Sequence, residues 1–144
     1  MKELRRILMV EDEPDIQAVA RVALEAVGGF SVEMANSGRE ALERVKTCNP
    51  DLILMDVMMP GLDGPSTLKQ LRADPATAGY PVIFMTAKVQ SHEVSRYKDI
   101  GGLGVIAKPF DPMTLAASVK TLWEQEHVGP AGRRSRSRFR LSYR

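Results

Sequence analysis

The chain predicts an α/β fold built on a doubly wound parallel sheet, and three observations carry that reading. Five short apolar runs alternate with five segments of helical hydrophobic period. The runs are almost continuously apolar, as strands covered on both faces must be. Their junctions hold helix caps or turn residues, and strands joined by helical crossovers lie parallel with right-handed connections.

The elements follow in order. Arg6-Ile7-Leu8-Met9-Val10 reads as the first strand, and Ile16, Val19, Ala20, Ala23, Leu24 and Val27 then recur at helical spacing until Gly28-Gly29. Pro14 suits that helix's first turn, where a missing N–H costs nothing. Phe30 to Met34 is a second, shorter strand. Ser37-Gly38-Arg39-Glu40 has the form of a capping box, opening a helix with Ala41, Leu42 and Val45 inward. Asp51 to Asp56 is the third strand, too short for a helix. Pro60-Gly61-Leu62-Asp63-Gly64 is a turn-dense loop, followed by a helix through Leu68 and Leu71 that ends near Asp74-Pro75. Pro81 to Met85 forms the fourth strand, a polar helix spans about Ser91 to Ile100, and Leu103 to Ala107 forms the fifth. Asp111 is expected to cap a last helix, with Pro112 first and Leu115, Val119 and Leu122 on one face. This alternation fits a flavodoxin-like (βα)5 sheet of strand order 2-1-3-4-5.

Length and composition narrow the classes. The 144 residues suffice for one domain with a real core, expected over 1–127, and for a tail over 128–144. The single cysteine, Cys48, excludes an internal disulfide framework and a cysteine-based zinc site, and fits a reducing cytoplasm. No stretch resembles a signal peptide or is long enough to span a bilayer, so neither export nor a membrane partner is expected. The net charge of +2 conceals an asymmetry: Arg133, Arg134, Arg136, Arg138, Arg140 and Arg144 lie in the last fifteen residues, which hold no acid. Taking those six from +2 leaves −4 for the rest, an acidic domain with a basic end.

Strand order 2-1-3-4-5 makes strands 1 and 3 neighbours at the topological switch point, so Glu11, Asp12 and Asp56 converge at the carboxyl edge of the sheet. Two unit charges about 4 Å apart repel by roughly 4 kcal/mol at an effective dielectric near 20, so a cation is required. Mg²⁺ suits it, being a hard ion that takes carboxylate and phosphate oxygens and keeps waters. The simpler reading, that Glu11-Asp12-Glu13-Pro14-Asp15 only favours a helix N-terminus, leaves Asp56 and the lone Lys108 before Pro109 unexplained.

These residues resemble the response-regulator receiver domain of two-component signalling. The matching pieces are Ile7 to Pro14, Asp56 to Gly64, Thr86-Ala87 and Lys108-Pro109-Phe110, in order, within a span from Arg6 to about Glu126. The resemblance implies that Asp56 is the phosphoacceptor, receiving a phosphoryl group from a histidine kinase, a histidine phosphotransfer protein or a small phosphodonor. It also implies that Asp12 ligates Mg²⁺ directly, Glu11 through water, and Met58 through its backbone carbonyl. Lys108 would pair with Asp56 and then with a phosphoryl oxygen, across a cis bond to Pro109. Thr86 would give its hydroxyl to the phosphoryl group. Self-phosphorylation and self-dephosphorylation are the only chemistry expected, so the chain is read as a switch and not as an enzyme acting on other substrates. Its signal would pass through helix 4, strand 5 and helix 5 to a downstream protein, with the chain a monomer or weak homodimer. At one switch position the chain departs from the family: an aromatic residue usually stands three places before the lysine, and here that place holds Val105.

Particular residues argue against other functions. A haloacid-dehalogenase-type phosphatase needs a second acid two residues after its aspartate, where this chain has Met58. A flavodoxin-type carrier needs a phosphate loop after strand 1, where Glu11 to Asp15 would repel a phosphate. A receiver-shaped interaction module that is never phosphorylated is the alternative function. The tail interleaves Phe139 and Tyr143 with arginine, a pattern able to grip nucleic acid, but it holds no foldable output module. It is therefore expected to be a disordered extension or a vector-derived remnant, the receiver standing alone without nucleic acid as a partner.

Overall fold

Five parallel strands occur in the expected order, and a sixth extends them. In a computed structural model, which describes residues 3–127 and 140–142, the strands are β1 (Arg6–Val10), β2 (Ser31–Ala35), β3 (Leu52–Asp56), β4 (Val82–Thr86), β5 (Gly104–Ala107) and β6 (Arg140–Ser142). Their order in the sheet is β2-β1-β3-β4-β5-β6. The helices are α1 (Pro14–Val22), continued by a π-helical turn at Ala23–Val27, then α2 (Gly38–Cys48), α3 (Gly64–Ala73), α4 (Ser91–Asp99) and α5 (Leu115–His127).

Alternation along each strand divides the core between the two faces. Ile7, Met9, Leu52, Leu54, Ile83, Met85 and Ile106 face one layer, built with Ala20, Ala23 and Leu24 and with Leu115, Val119, Leu122 and Trp123 of α5. Leu8, Val10, Ile53, Met55, Val82, Phe84 and Val105 face the other, with Ala41 and Val45 of α2, Leu68 and Leu71 of α3, and Tyr97 of α4. Side chains of period two on a sheet covered on both sides produce this split, which is why the strand sequences lack a polar face.

Local signals mostly act as read. Ser37 caps α2, its hydroxyl accepting from the Glu40 N–H at 3.0 Å. The second half of the expected capping box differs, because the Glu40 carboxylate accepts from the N–H of Asn36 at 2.6 Å and not from that of Ser37. The last helix begins at Leu115 and not at Pro112. Asp111 closes a separate turn instead, its carboxylate accepting from Met113 N–H at 2.8 Å.

The sixth strand comes from the three described residues of the tail. Arg140–Ser142 lies in the segment read as disordered, yet it pairs in parallel with β5, Gly104 opposite Arg140 and Ile106 opposite Ser142. A sheet edge otherwise leaves unpaired N–H and C=O groups, and an added strand satisfies them. The remainder of the basic tail, 128–139 and 143–144, lies outside the described residues, so the expected domain boundary at 127 also falls at their margin.

Candidate functional site

The carboxyl ends of β1, β3, β4 and β5 bring together residues from four separate stretches of sequence. Glu11 directly follows β1, Asp56 closes β3, Thr86 closes β4, and Lys108 directly follows β5. Register fixes their heights: Val10 lies opposite Met55, Asp56 opposite Met85, and Thr86 opposite Ala107. Each functional side chain therefore sits where a strand stops being covered by helices.

Three carboxylates meet there. Glu11, Asp12 and Asp56 each offer an oxygen, and these atoms all lie within 4.8 Å of one another. Glu11 and Asp56 are buried, Asp12 half-buried. Lys108 enters from the other side, its Nζ 3.2 Å from Glu11 Oε1 and 3.3 Å from Asp56 Oδ1. Its peptide bond to Pro109 is cis, and its N–H donates to the Thr86 carbonyl at 2.9 Å.

The charges are tuned by burial and by one another. Burial pushes the Glu11 carboxyl above its ordinary value, opposed by the N–H of Glu13 and reinforced by the charge of Asp56. Burial likewise raises Asp56, against the Lys108 ammonium and the Met58 N–H. Lys108 is pulled down by burial, but Asp56 and Glu11 together outweigh that pull and hold it above the usual lysine range. One ammonium thus faces three acids, and the site retains a deficit of positive charge.

The donor set fits a divalent hard cation. All three side chains supply oxygen, none supplies nitrogen or sulfur, and the cluster lies at the sheet's carboxyl edge where an ion keeps access to water. Met58 reaches the site through its backbone, where its N–H donates to the Asp56 carboxylate, while its side chain is 64 % exposed. Thr86 is buried, and its Oγ1 accepts from Lys88 N–H at 3.0 Å. Val105 is fully buried opposite Phe84, one layer below the site.

Two features went unread in the sequence. Gly64 opens α3 against the end of β3, where a Cβ would lie 2.5 Å from the Asp56 carbonyl oxygen and 3.0 Å from Val57 Cα. In the sequence Gly64 reads only as part of a turn-dense loop, whereas the position requires a close approach. Tyr97 was passed over as part of a polar helix, yet it is 2 % exposed.

With this geometry in view, comparison with known proteins is decisive. The family model described as the response regulator receiver domain matches residues 7–120. The chain belongs to the response-regulator receiver family. This receiver is 33 % identical over 127 residues to the DNA-binding response regulator MtrA of Mycolicibacterium smegmatis, covering 88 % of this chain and 54 % of that protein. It is 35 % identical over 124 residues to the alkaline phosphatase synthesis transcriptional regulatory protein PhoP of Bacillus subtilis, covering 86 % and 50 %. The receiver therefore spans about half the length of these curated relatives. Among solved structures, the chemotaxis protein CheY4 of Vibrio cholerae superposes with a TM-score of 0.76 at 28 % identity, over 83 % of this chain and 99 % of that one. The receiver domain of a histidine kinase from Syntrophus aciditrophicus does so at 0.71 and 35 % identity, over 82 % and 89 %. Membership in this family supports a phosphoacceptor role in two-component signalling. Among the described residues, no helix is long and apolar enough to cross a membrane.

Proposed function

We propose that this receiver is a Mg²⁺-dependent phosphoryl switch with Asp56 as the acceptor. The observation that carries the proposal is the convergence of Glu11, Asp12 and Asp56 within 4.8 Å, with Lys108 reaching two of the three. Asp12, Asp56 and the Met58 carbonyl would hold the ion directly and Glu11 through water. When bound, Mg²⁺ supplies positive charge that screens the carboxylates and the phosphoryl oxygens.

The chain's own residues do the remainder. An Asp56 oxygen forms the new bond to phosphorus as the bond from phosphorus to the donor's imidazole nitrogen breaks, giving an acyl phosphate. Lys108, held by Asp56 and Glu11 in the resting site, turns its ammonium toward a phosphoryl oxygen, a task suited to a compact point charge. Thr86 donates its hydroxyl to another of these oxygens. Such reactions depend mainly on positioning and charge, since the transition state is loose.

The donor would be a histidine kinase or a histidine phosphotransfer protein in the cytoplasm, and the downstream protein would be met at α4, β5 and α5. DNA binding belongs to the name of the mycobacterial relative, about half of which this chain spans, and is not carried over. The test is intact mass after incubation with acetyl phosphate and Mg²⁺, wild type beside Asp56→Ala. A single phosphoryl adduct that requires Mg²⁺ and is lost in the variant is expected. No adduct from acetyl phosphate or a kinase, together with no beryllofluoride binding, would leave a docking module instead.

A further inference from the structure

The side chain of Gln17, one turn into α1, reaches back to the segment that carries two of the three acids. Its Nε2 donates to the Glu11 main-chain carbonyl at 2.5 Å and to the Asn36 carboxamide oxygen at 2.7 Å. Both protons of one NH2 group are thus used, one on the turn after β1 and one on the turn after β2. The placement of N and O follows from chemistry: a main-chain carbonyl only accepts, so Gln17 must present its nitrogen, and Asn36 must then present its oxygen. Asn36 is held in turn by its own N–H, which donates to the Glu40 carboxylate at 2.6 Å, and Arg44 Nε donates to the same carboxylate at 3.1 Å.

The Glu11 carbonyl belongs to the peptide that joins Glu11 to Asp12. A peptide unit is planar, so a bond to its oxygen restrains the whole plane and, with it, the direction in which Asp12 leaves the chain. The Glu11 N–H is already bound to the Ala35 carbonyl at 3.0 Å, and the Glu13 N–H to the Glu11 carboxylate at 3.1 Å. Those bonds hold Glu11 itself. Gln17 adds the restraint on the plane beyond it. That restraint has work to do, because the carboxylates of Glu11, Asp12 and Asp56 crowd within 4.8 Å, and their repulsion without a cation favours turning Asp12 away.

We propose that Gln17 is a positioning residue for the metal site, holding the peptide between Glu11 and Asp12 so that their carboxylates stay turned toward Asp56, with Asn36 as its anchor. In this role the side chain touches neither the ion nor the phosphoryl group. It reduces the rearrangement that binding the ion requires, and groups that orient a metal's ligands contribute about tenfold or more to affinity. The proposal rests on the Mg²⁺-dependent phosphoacceptor reading above and adds what preforms its ion site.

The test is Mg²⁺ titration of the full chain, read by the amide shifts of Asp12 and Glu13, beside urea unfolding without metal. Gln17→Met, which keeps the length and loses the donor, should weaken Mg²⁺ binding about tenfold. Asn36→Ala should weaken it by about threefold, the worth of a modest hydrogen bond. The double variant should be no weaker than Gln17→Met alone, since Asn36 acts through Gln17. Gln17→Glu decides between positioning and charge. Its carboxylate cannot donate to the Glu11 carbonyl, so positioning predicts weaker binding, whereas an added negative charge near a cation site by itself predicts tighter binding. Urea unfolding separates these effects from a general loss of fold, and Asn36→Ala, at an exposed position, carries the test if Gln17→Met does not fold. Mg²⁺ affinity unchanged in Gln17→Met and Asn36→Ala, or raised in Gln17→Glu, overturns the proposal and leaves the phosphoacceptor reading standing. Failure of wild type to bind Mg²⁺ would instead sink that reading, and the positioning role of Gln17 with it.

Discussion

Lys108 is the residue on which the resting site turns, because among the described residues it alone pairs with the two buried carboxylates. Replacing it by Met would leave Glu11 and Asp56 facing one another without a cation. Breaking a buried charge pair in this way costs about 3 kcal/mol. Urea unfolding of metal-free Lys108→Met should show that loss, and millimolar Mg²⁺ should return part of it; a variant as stable as wild type without metal would contradict the charge arrangement. Asp56→Asn should act in the opposite direction. Burial raises the Asp56 carboxyl in the folded state, so the folded protein holds that proton more tightly than the unfolded chain. Stability then falls as pH rises from the unfolded carboxyl value, near 4, up to the raised folded value, and stays lower above it. Glu11 adds to the same slope, being raised for the same first reason. Asp56→Asn removes one contribution, so at neutral pH without metal it should melt above wild type, by about 4 °C for each kcal/mol gained. A lower melting temperature for this variant would show that the Lys108 pairing outweighs burial.

At the level of elements, the site depends on how tightly loops deliver helices to strand ends. Gly64 allows α3 to start against β3, its cap supplied by Asp63, whose carboxylate accepts from Ser66 N–H at 2.8 Å. A Cβ at 64 would meet backbone at 2.5 Å, which neither strand nor helix can yield cheaply. Gly64→Ala should therefore destabilise by about 2 kcal/mol and disturb Asp56, which lies at the point of contact; thermal melts and beryllofluoride binding together read both effects. Helix α4 is the contrasting case. Having a single buried residue, it should exchange its amides faster than α2, where Gly38, Ala41 and Val45 are buried and Ser37 caps the start. Equal protection of the two helices would remove the physical basis for α4 as the responsive element.

Across the whole molecule, β6 changes what the outer side of β5 presents. Its three residues pair along β5, at the face where a downstream protein was expected, so the tail and such a protein would compete for one edge. Leu141→Pro removes a backbone donor inside that short strand. Hydrogen exchange at Gly104–Ile106 should quicken in this variant, and unchanged exchange would mean that the edge is not held by β6 in solution. Residues Phe139, Leu141 and Tyr143 alternate with Arg140 and Ser142, a strand period that the charge of the tail obscured.

Much of this molecule was legible in the sequence because its signals are local or periodic. Continuous apolar runs marked the strands, caps and glycines marked the helix ends, and four short motifs marked Glu11, Asp12, Asp56, Thr86 and Lys108 as one set. The first five strands and their order followed from alternation and handedness, which depend on backbone chirality more than on particular side chains. Tertiary structure alone decided three matters. It gave Lys108 two partners, Glu11 as well as Asp56, since reach across 97 residues of sequence has no local signature. It buried Tyr97 within a helix of polar composition, because one inward position per two turns is enough to dock a short helix and too little to register as a pattern. It also seated Arg140–Ser142 on β5, because an edge strand is recruited by unpaired backbone groups, which every sequence possesses and none advertises.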